Sequence, residues 1–254
     1  MRVSARAVAV TASPAHRSWL ANLDRHAVAP QAVADIVRQR RLTRDSFRAL
    51  DAMEQVTDSD GKSFFLLPRG IGGRDACRAA LLTYILNAGT GYGRTGSRND
   101  FPETPYGAAE LRRIAERQRA NRWSYEAVRG IGNTGGCLVT TPNGVLMGLA
   151  GNRFHAQLSR RAGTMWGDLF MLNLTRVSDP ARRLRDIVES GRVCSGGPDL
   201  DRLLHHEEIH AQQWAALGPI QMPARYLAEE AKARILGGVN SFERAAGLSD
   251  GGYR

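Results

Sequence analysis

Residues 203–214 read LLHHEEIHAQQW, and this stretch holds three of the six histidines of the 254-residue chain. Its apolar residues recur at helical spacing together with two of the histidines, so that one face of a helix carries Leu203, His206, His210, Trp214 and Leu217. Gly-Gly-Pro at 196–198 precedes the stretch and Gly-Pro at 218–219 follows it, with Asp199 placed to cap the first turn. The pattern predicts a helix that turns two imidazoles towards the core.

Residues 206–210 spell His-Glu-Glu-Ile-His, the HExxH motif. Imidazoles at positions i and i+4 on one helix face reach a single tetrahedral ion, and Glu207 lies beside that ion. Zinc (Zn2+) lowers the pKa of a bound water to about 7, and a carboxylate beside the ion can take the proton of that water. Glu207 is therefore predicted to be the catalytic general base. The alternative is a pair of core histidines bonded to carboxylates, or an exposed polar patch. His205 lies outside the helix face that carries the other two histidines. It either faces solvent or donates a hydrogen bond to one of the metal ligands.

A catalytic zinc site needs a third protein ligand. The HExxHxxGxxH continuation is excluded, because position 213 is Gln and position 216 is Ala. The remaining candidates are the downstream carboxylates Glu229, Glu230 and Glu243.

The segment HEEIHAQQWAALGP, followed by RYL and NSFERAAG, resembles bacterial zincin-like metallopeptidases of the glutamate (gluzincin) type. The resemblance covers roughly residues 165–254. It implies a zincin-like domain with zinc held by His206, His210 and Glu243, Glu207 as the catalytic residue, and a peptide or protein substrate. Many relatives carry Asp four residues after the ligand Glu, where this chain has Gly247.

Two other interpretations of the carboxylates stay open. Glu230 follows His210 by 20 residues, a separation that resembles the thermolysin-like pattern, although its neighbours differ from that pattern. Glu229 and Glu230 also have possible ion-pair partners on a solvated helix, namely Arg225, Lys232 and Arg234. Asn240 and Glu243 also fit a capping box at a helix start, which is a structural role for Glu243.

The residue that would donate a hydrogen bond to the oxyanion is not decided by the sequence. The candidates are Tyr226, Arg225, Tyr253 and His205.

The fold class predicted is α+β, predominantly helical, with a loosely ordered arm (1–29), a helical N-terminal domain (30–127) and a zincin-like domain (128–254). Helices are expected over 30–50, 74–88, 178–191 and, starting at Thr104 and Pro105, to about 121. Short strands are expected at SFFLLPRG (63–70), in a hairpin that turns at Pro142–Gly144, and at 165–174. The resemblance implies that the last strand is the sheet-edge strand above the metal, where an extended peptide can add; the alternative is an ordinary core strand. The glycines of GTGYGRTG (89–96) lack the flanking strand and helix of a dinucleotide site, so they predict a connector or lid.

The net charge of +10 comes from arginines that fall mostly at helical spacing beside acidic residues, as on solvated helix faces. The three widely spaced cysteines exclude a disulfide framework and a Cys-based zinc site. No signal peptide or transmembrane stretch is recognisable, so a soluble cytoplasmic protein is expected. The sequence therefore predicts a zinc-dependent hydrolase, most simply a metallopeptidase. Its alternatives are an inactive zincin-fold binding protein and a basic nucleic-acid-binding protein.

Overall fold

The computed structural model describes residues 13–91, 105–150, 163–174 and 177–248 together with Gly251. Helices predominate over a single mixed sheet in these residues, so the predicted α+β, mainly helical class is confirmed. None of the helices in the described ranges is long and apolar enough to cross a membrane. The glycine-rich connector at 92–104, including the predicted helix start at Thr104, lies outside the described residues, as does Tyr253.

The described residues contain nine α-helices and two 3-10 segments, Arg44–Phe47 and Arg122–Glu126. In chain order the α-helices are α1 (Pro14–Arg25), α2 (Pro30–Arg40), α3 (Arg48–Asp51), α4 (Gly73–Leu86), α5 (Ala108–Ala120), α6 (Ala127–Asn133), α7 (Pro180–Ser190), α8 (Leu200–Leu236) and α9 (Ser241–Ala246).

Six short strands form the sheet: β1 (Glu54–Thr57), β2 (Ser63–Leu66), β3 (Cys137–Thr140), β4 (Leu146–Leu149), β5 (Gly163–Trp166) and β6 (Leu169–Leu172). Their order is β1-β2-β3-β4-β6-β5, with β4 and β6 parallel and the other pairs antiparallel. The β3–β4 hairpin turns where the sequence predicts, with Gly144 at a φ of 73°.

Apolar side chains cover both faces of the sheet, because neighbouring residues of a strand point to opposite sides. Phe65 and Leu146 face a core formed with α1, α4, α5 and α6. Phe64 and Met147 face a second core formed with α7 and α8. The helix that carries the HExxH motif is therefore packed on a sheet that is buried on both sides.

α8 consists of two helical parts separated at Gly218, whose φ of 75° and ψ of 174° are not helical. The predicted end of the motif helix is thus confirmed, and Pro219 starts the second part, where its missing N–H costs nothing. The second part reaches Leu236 and turns back through Gly237, which has a φ of 70°. This reversal brings α9 alongside the motif helix.

Two predictions about the N-terminal half are wrong. Residues 14–25 form α1 instead of part of a loosely ordered arm, because Trp19 and Leu23 are buried in the first core. α5 starts at Ala108, three residues after Pro105. The half-buried Tyr106 packs on the first core, and its hydroxyl donates to the Ile85 carbonyl at 3.2 Å, so the residue before Gly107 is fixed by a tertiary contact.

The segment 165–174, predicted as one strand, instead contains the end of β5, the turn and β6. Gly167 has a φ of 65° and allows the reversal. β5 is the strand at the edge of the sheet and β6 is interior.

Since β2 pairs with β3, residues on the two sides of the proposed domain boundary at 127/128 share one sheet. The division into domains remains a prediction.

Candidate metal centre

Three side chains from two helices meet at one point. The Nε2 atoms of His206 and His210 are 3.0 Å apart, and Glu243 Oε2 lies 3.3 Å from the first and 3.4 Å from the second. All three residues are buried. Together they could hold a metal ion.

The spacing of these atoms fits a tetrahedral site. Metal–ligand bonds of ~2.0–2.2 Å at tetrahedral angles place the ligand atoms roughly 3.3–3.6 Å apart. The two distances to Glu243 Oε2, 3.3 and 3.4 Å, fall in that interval, and the Nε2–Nε2 distance of 3.0 Å falls just below it. Only a small adjustment of the two rings is needed to accept an ion.

The hydrogen bonds of His206 direct a lone pair at this point. His206 Nδ1 lies 3.0 Å from the carbonyl oxygen of Gly247, which accepts only, so the ring donates from Nδ1 and Nε2 carries a lone pair. Gly247 has no side chain and contacts the ring through its backbone oxygen alone. Gly251 packs on the same ring, where an added Cβ would lie 2.5 Å from His206 Cε1.

The tautomer of His210 is set through Gln213. Gln213 Nε2 donates to the Phe242 carbonyl at 3.1 Å, which turns Oε1 towards His210 Nδ1 at 2.8 Å. His210 therefore donates from Nδ1 and leaves the Nε2 lone pair facing the cluster. The same amide ties α8 to the backbone of α9, one residue before Glu243. Gln213 is the residue that excluded the HExxHxxGxxH motif in the sequence.

Glu243 is held in place by residues on both sides of its helix. Its Oε1 accepts a hydrogen bond from the Tyr226 hydroxyl, and the Asn240 side chain caps α9 by accepting from Phe242 N at 3.0 Å. Burial acts to raise the pKa of Glu243, but its close contacts with His206, His210 and the Tyr226 hydroxyl outweigh burial and hold the pKa well below its usual range. Glu243 is therefore a carboxylate at neutral pH.

Glu207 is buried next to the cluster, and its Oε2 has no hydrogen-bond partner among the described residues. Burial raises the pKa of this carboxyl, although the nearby His210 and His206 oppose the shift. Two acidic side chains thus lie in one desolvated region with two imidazoles whose lone pairs converge. A cation at this point would satisfy all four groups.

The structure excludes the rival third ligands from the cluster. Glu230 pairs with Arg234 at 3.1 Å, and Glu229 with Lys232 at 3.5 Å, which are two of the ion pairs the sequence offers. His205 is half-buried and is not part of the His-His-Glu cluster. Arg225 is exposed on the outer side of α8.

The second glutamate of the motif, Glu208, belongs to a buried ionic network that sequence reasoning missed. Its Oε1 accepts hydrogen bonds from Arg113 and, at 2.7 Å, from Arg117 Nη1. Arg117 also lies 3.2 Å from Asp168, which is fully buried in the β5–β6 turn. One guanidinium thus joins α5, the hairpin and the motif helix. The available signal is that Arg117 falls on the apolar face of α5, among Leu111, Ile114 and Gln118.

Asn121 extends this network to the motif helix. Its amide donates to Asp168 Oδ1 and to the Ala211 carbonyl, both at 2.9 Å. Ala211 follows His210 directly, so the β5–β6 hairpin is held against the turn of α8 that carries the second histidine. These two hydrogen bonds therefore fix the β5–β6 hairpin relative to the motif helix.

Three tryptophans form a cluster beside β5. The ring centroids of Trp166 and Trp214 are 5.1 Å apart, and Trp123 lies 5.4 Å from Trp214. Trp166 is 46% exposed and ends β5, while Trp214 lies one helical turn beyond His210. The edge strand predicted to lie near the metal is therefore adjacent to the motif helix.

The bond from Gln213 to His210 yields a prediction for metal affinity. Gln213→Leu removes the acceptor that selects the Nδ1–H tautomer and the link to α9, while the three ligands stay in place. We expect metal affinity to fall about 10–100-fold, the usual effect of losing a partner of a ligating histidine. Competition titration with a chromogenic chelator measures it. An affinity equal to that of Gln212→Leu, a change at the exposed neighbouring position, would contradict the assigned role.

No family model, curated protein or solved structure matches the chain in comparisons with each of these three sets.

Proposed function

We propose that His206, His210 and Glu243 hold a zinc ion and that the protein is a zinc-dependent hydrolase, a metallopeptidase. The observation that carries this proposal is the convergence of two imidazole lone pairs and a carboxylate oxygen within 3.4 Å of one another, beside the buried carboxyl of Glu207. The Gly247 and Gln213 hydrogen bonds support it, because they present both histidines as ligands and not as donors to each other.

Charge supports a divalent ion. Glu207 and Glu243 are both buried, and no arginine or lysine forms an ion pair with either of them among the described residues. Two neighbouring buried carboxylates without a cation would repel each other and lose hydration. An ion of charge +2 between neutral histidines offsets both charges.

The donor set favours zinc over the harder cations. Two imidazole nitrogens with one carboxylate oxygen suit Zn2+, whereas Mg2+ and Ca2+ take oxygen ligands. Three protein ligands also match catalytic zinc sites, which keep one position open. When bound, zinc lowers the pKa of water to about 7 and polarises a substrate carbonyl.

Glu207 performs the proton transfers in this proposal. Its Oε2 has no hydrogen-bond partner within the described ranges, so it is available to take the proton of the attacking water and to return it to the leaving amine. The raised pKa of its buried carboxyl brings it nearer to that of a base suited to neutral pH. Tyr226 keeps Glu243 oriented as a ligand throughout.

The edge strand supports a peptide or protein substrate. β5 pairs with β6 on one side only in the described part of the chain, which leaves backbone donors and acceptors on its other side. An extended peptide adds to such an edge by main-chain hydrogen bonds. Asn121 donates to Asp168 in the β5–β6 turn and to the Ala211 carbonyl next to His210, which connects this hairpin to the motif helix.

Hydrolysis of a mixed peptide library tests the activity. The protein loaded with zinc is expected to generate new amino termini, detected by mass spectrometry. A chelator should stop the reaction and added zinc should restore it. Metal-loaded protein that releases no product from any peptide would contradict the peptidase assignment.

The second candidate is a zincin-fold binding protein with a structural metal site. It is favoured by the burial of the cluster, since His206, Glu207 and Glu243 are only 3–5% exposed and Gly251 packs on His206. Such a protein binds zinc and unfolds at a lower temperature without it, but shows no turnover. The library experiment separates it from the peptidase when metal content is measured on the same sample.

A further inference from the structure

Apolar side chains are concentrated on the outside of the second part of α8. Seven large hydrophobic side chains are exposed in the described residues, and five of them lie within 220–239. These five, with their exposed fractions, are Ile220 (83%), Leu227 (62%), Ile235 (81%), Leu236 (72%) and Val239 (40%). A concentration of this kind marks a contact surface.

Three of these five residues, together with two exposed alanines, form one continuous face of the helix. Steps of three and four residues, which keep a helix face in register, connect Ile220, Ala224, Leu227, Ala231 and Ile235. All five are exposed. We call these five residues the outer stripe. The opposite face of the same helix points inward, where Met222 is buried and Tyr226 contacts Glu243.

Basic residues border the outer stripe. By helical periodicity Arg225 and Lys232 lie along one side of it and Arg234 along the other. Lys232 and Arg234 are exposed and pair with the half-buried Glu229 and Glu230, so these ion pairs hold the cations weakly. The whole chain carries a net charge of +10. A partner of this surface is therefore apolar at its centre and negatively charged around it.

We propose that the outer stripe binds the surface of an anionic lipid bilayer, with the helix lying in the plane of the interface. An apolar face flanked by Lys and Arg is the composition of interfacial helices, whose apolar side chains enter the acyl boundary while the cations contact phosphates. The non-helical Gly218 and the turn at Gly237 bound this segment on both sides, so it is a helical part distinct from the motif helix.

The size and charge of the outer stripe disfavour a second copy of the chain as its partner. From Ile220 to Ile235 the stripe is roughly 22 Å long, and with a width of about 10 Å it offers roughly 220 Å2. A stable dimer buries about 800 Å2 on each partner. Two chains of charge +10 also repel each other at low salt. A bilayer surface needs no such area from one helix, because the net charge adds to the attraction.

Vesicle co-sedimentation tests the proposal, with phosphatidylcholine vesicles and with vesicles of equal parts phosphatidylcholine and phosphatidylglycerol. The protein is expected to sediment with the anionic vesicles only. The double variant Ile220→Glu/Ile235→Glu should bind at least about tenfold more weakly, because it removes apolar area and adds negative charge. Arg112→Gln/Arg119→Gln is the matched control, since it lowers the net charge equally at two exposed positions of α5, outside the outer stripe. It should reduce binding by about threefold or less, because charges away from the contact are screened.

Two results would overturn the proposal. Equal loss of binding in both double variants would show that charge alone attracts the protein. A concentration-dependent dimer in analytical ultracentrifugation that Ile220→Glu/Ile235→Glu dissociates would identify a second copy as the partner. Neither measurement requires bound metal or hydrolysis, so the outcome is independent of the proposed peptidase function.

Discussion

Glu207→Gln is expected to lower kcat for peptide hydrolysis by about 10²–10⁴-fold, the usual effect of removing a general base. Gln keeps the size of the side chain but cannot take a proton from water. His206, His210 and Glu243 are unchanged, so zinc should remain bound at the level of the original protein. Initial rates on the best library peptide, with zinc measured in the same sample, give both numbers.

Glu230→Gln provides the matched control, because it makes the same chemical change at the rejected ligand position on the second part of α8. This variant should retain both zinc and full activity. Unchanged kcat in Glu207→Gln would refute the role of Glu207. Loss of zinc from Glu207→Gln would show instead that this carboxyl helps to hold the ion.

Arg117→Leu is expected to reduce the free energy of unfolding by about 3–5 kcal/mol. The substitution leaves the carboxylates of Glu208 and Asp168 buried, at 4% and 0% exposure, with their shared cation removed. It also removes the donors to the carbonyls of Asn143 and Gly144 in the β3–β4 turn. Chemical denaturation followed by circular dichroism measures the loss.

Arg119→Leu is the control for this prediction, since Arg119 is exposed on the same helix two residues later. Its effect should stay within about 0.5 kcal/mol, as for surface substitutions away from special contacts. Similar stabilities for the two variants would mean that Glu208 and Asp168 do not need Arg117. If Arg117→Leu abolishes folding, Arg117→Lys should restore part of the stability, because a cation remains on the same helix face.

The local signals in the sequence predicted the motif helix well. The apolar stripe of Leu203 and Trp214 with the two histidines, and the glycine at 218, depend on helical periodicity and chain termination, both of which act over a few residues. The structure confirms that His206 and His210 face inward together. The chemistry assigned to them stays a proposal.

The third ligand was open in the sequence because Glu243 fits two local patterns. Asn240 does cap α9, as a capping box requires, but the Glu243 carboxylate turns to Tyr226 and the histidines. The contact of Glu243 with the histidines depends on the chain reversal at Gly237. This reversal brings Glu243 next to His206 and His210, which are 37 and 33 residues earlier in the sequence. Periodicity carries no information about such a contact.

The ionic network could not be predicted for the same reason. Arg113 and Arg117 have the helical spacing of solvated arginines, and only the packing of α5 against α8 buries Arg117 with Glu208, which is 91 residues later in the chain. The helix at 14–25 was missed because its apolar residues become a core only against α4 and the Arg44–Phe47 segment. Tertiary contacts override weak local patterns in both cases.

Metal content tests the central claim most directly. The protein, purified without added metal and alongside His210→Ala, is analysed by inductively coupled plasma mass spectrometry. We expect about one zinc per chain in the original protein and less than about a tenth of that in the variant, since two remaining ligands bind weakly. Absence of zinc from the original protein after incubation with zinc, or equal content in both proteins, would contradict the metal centre.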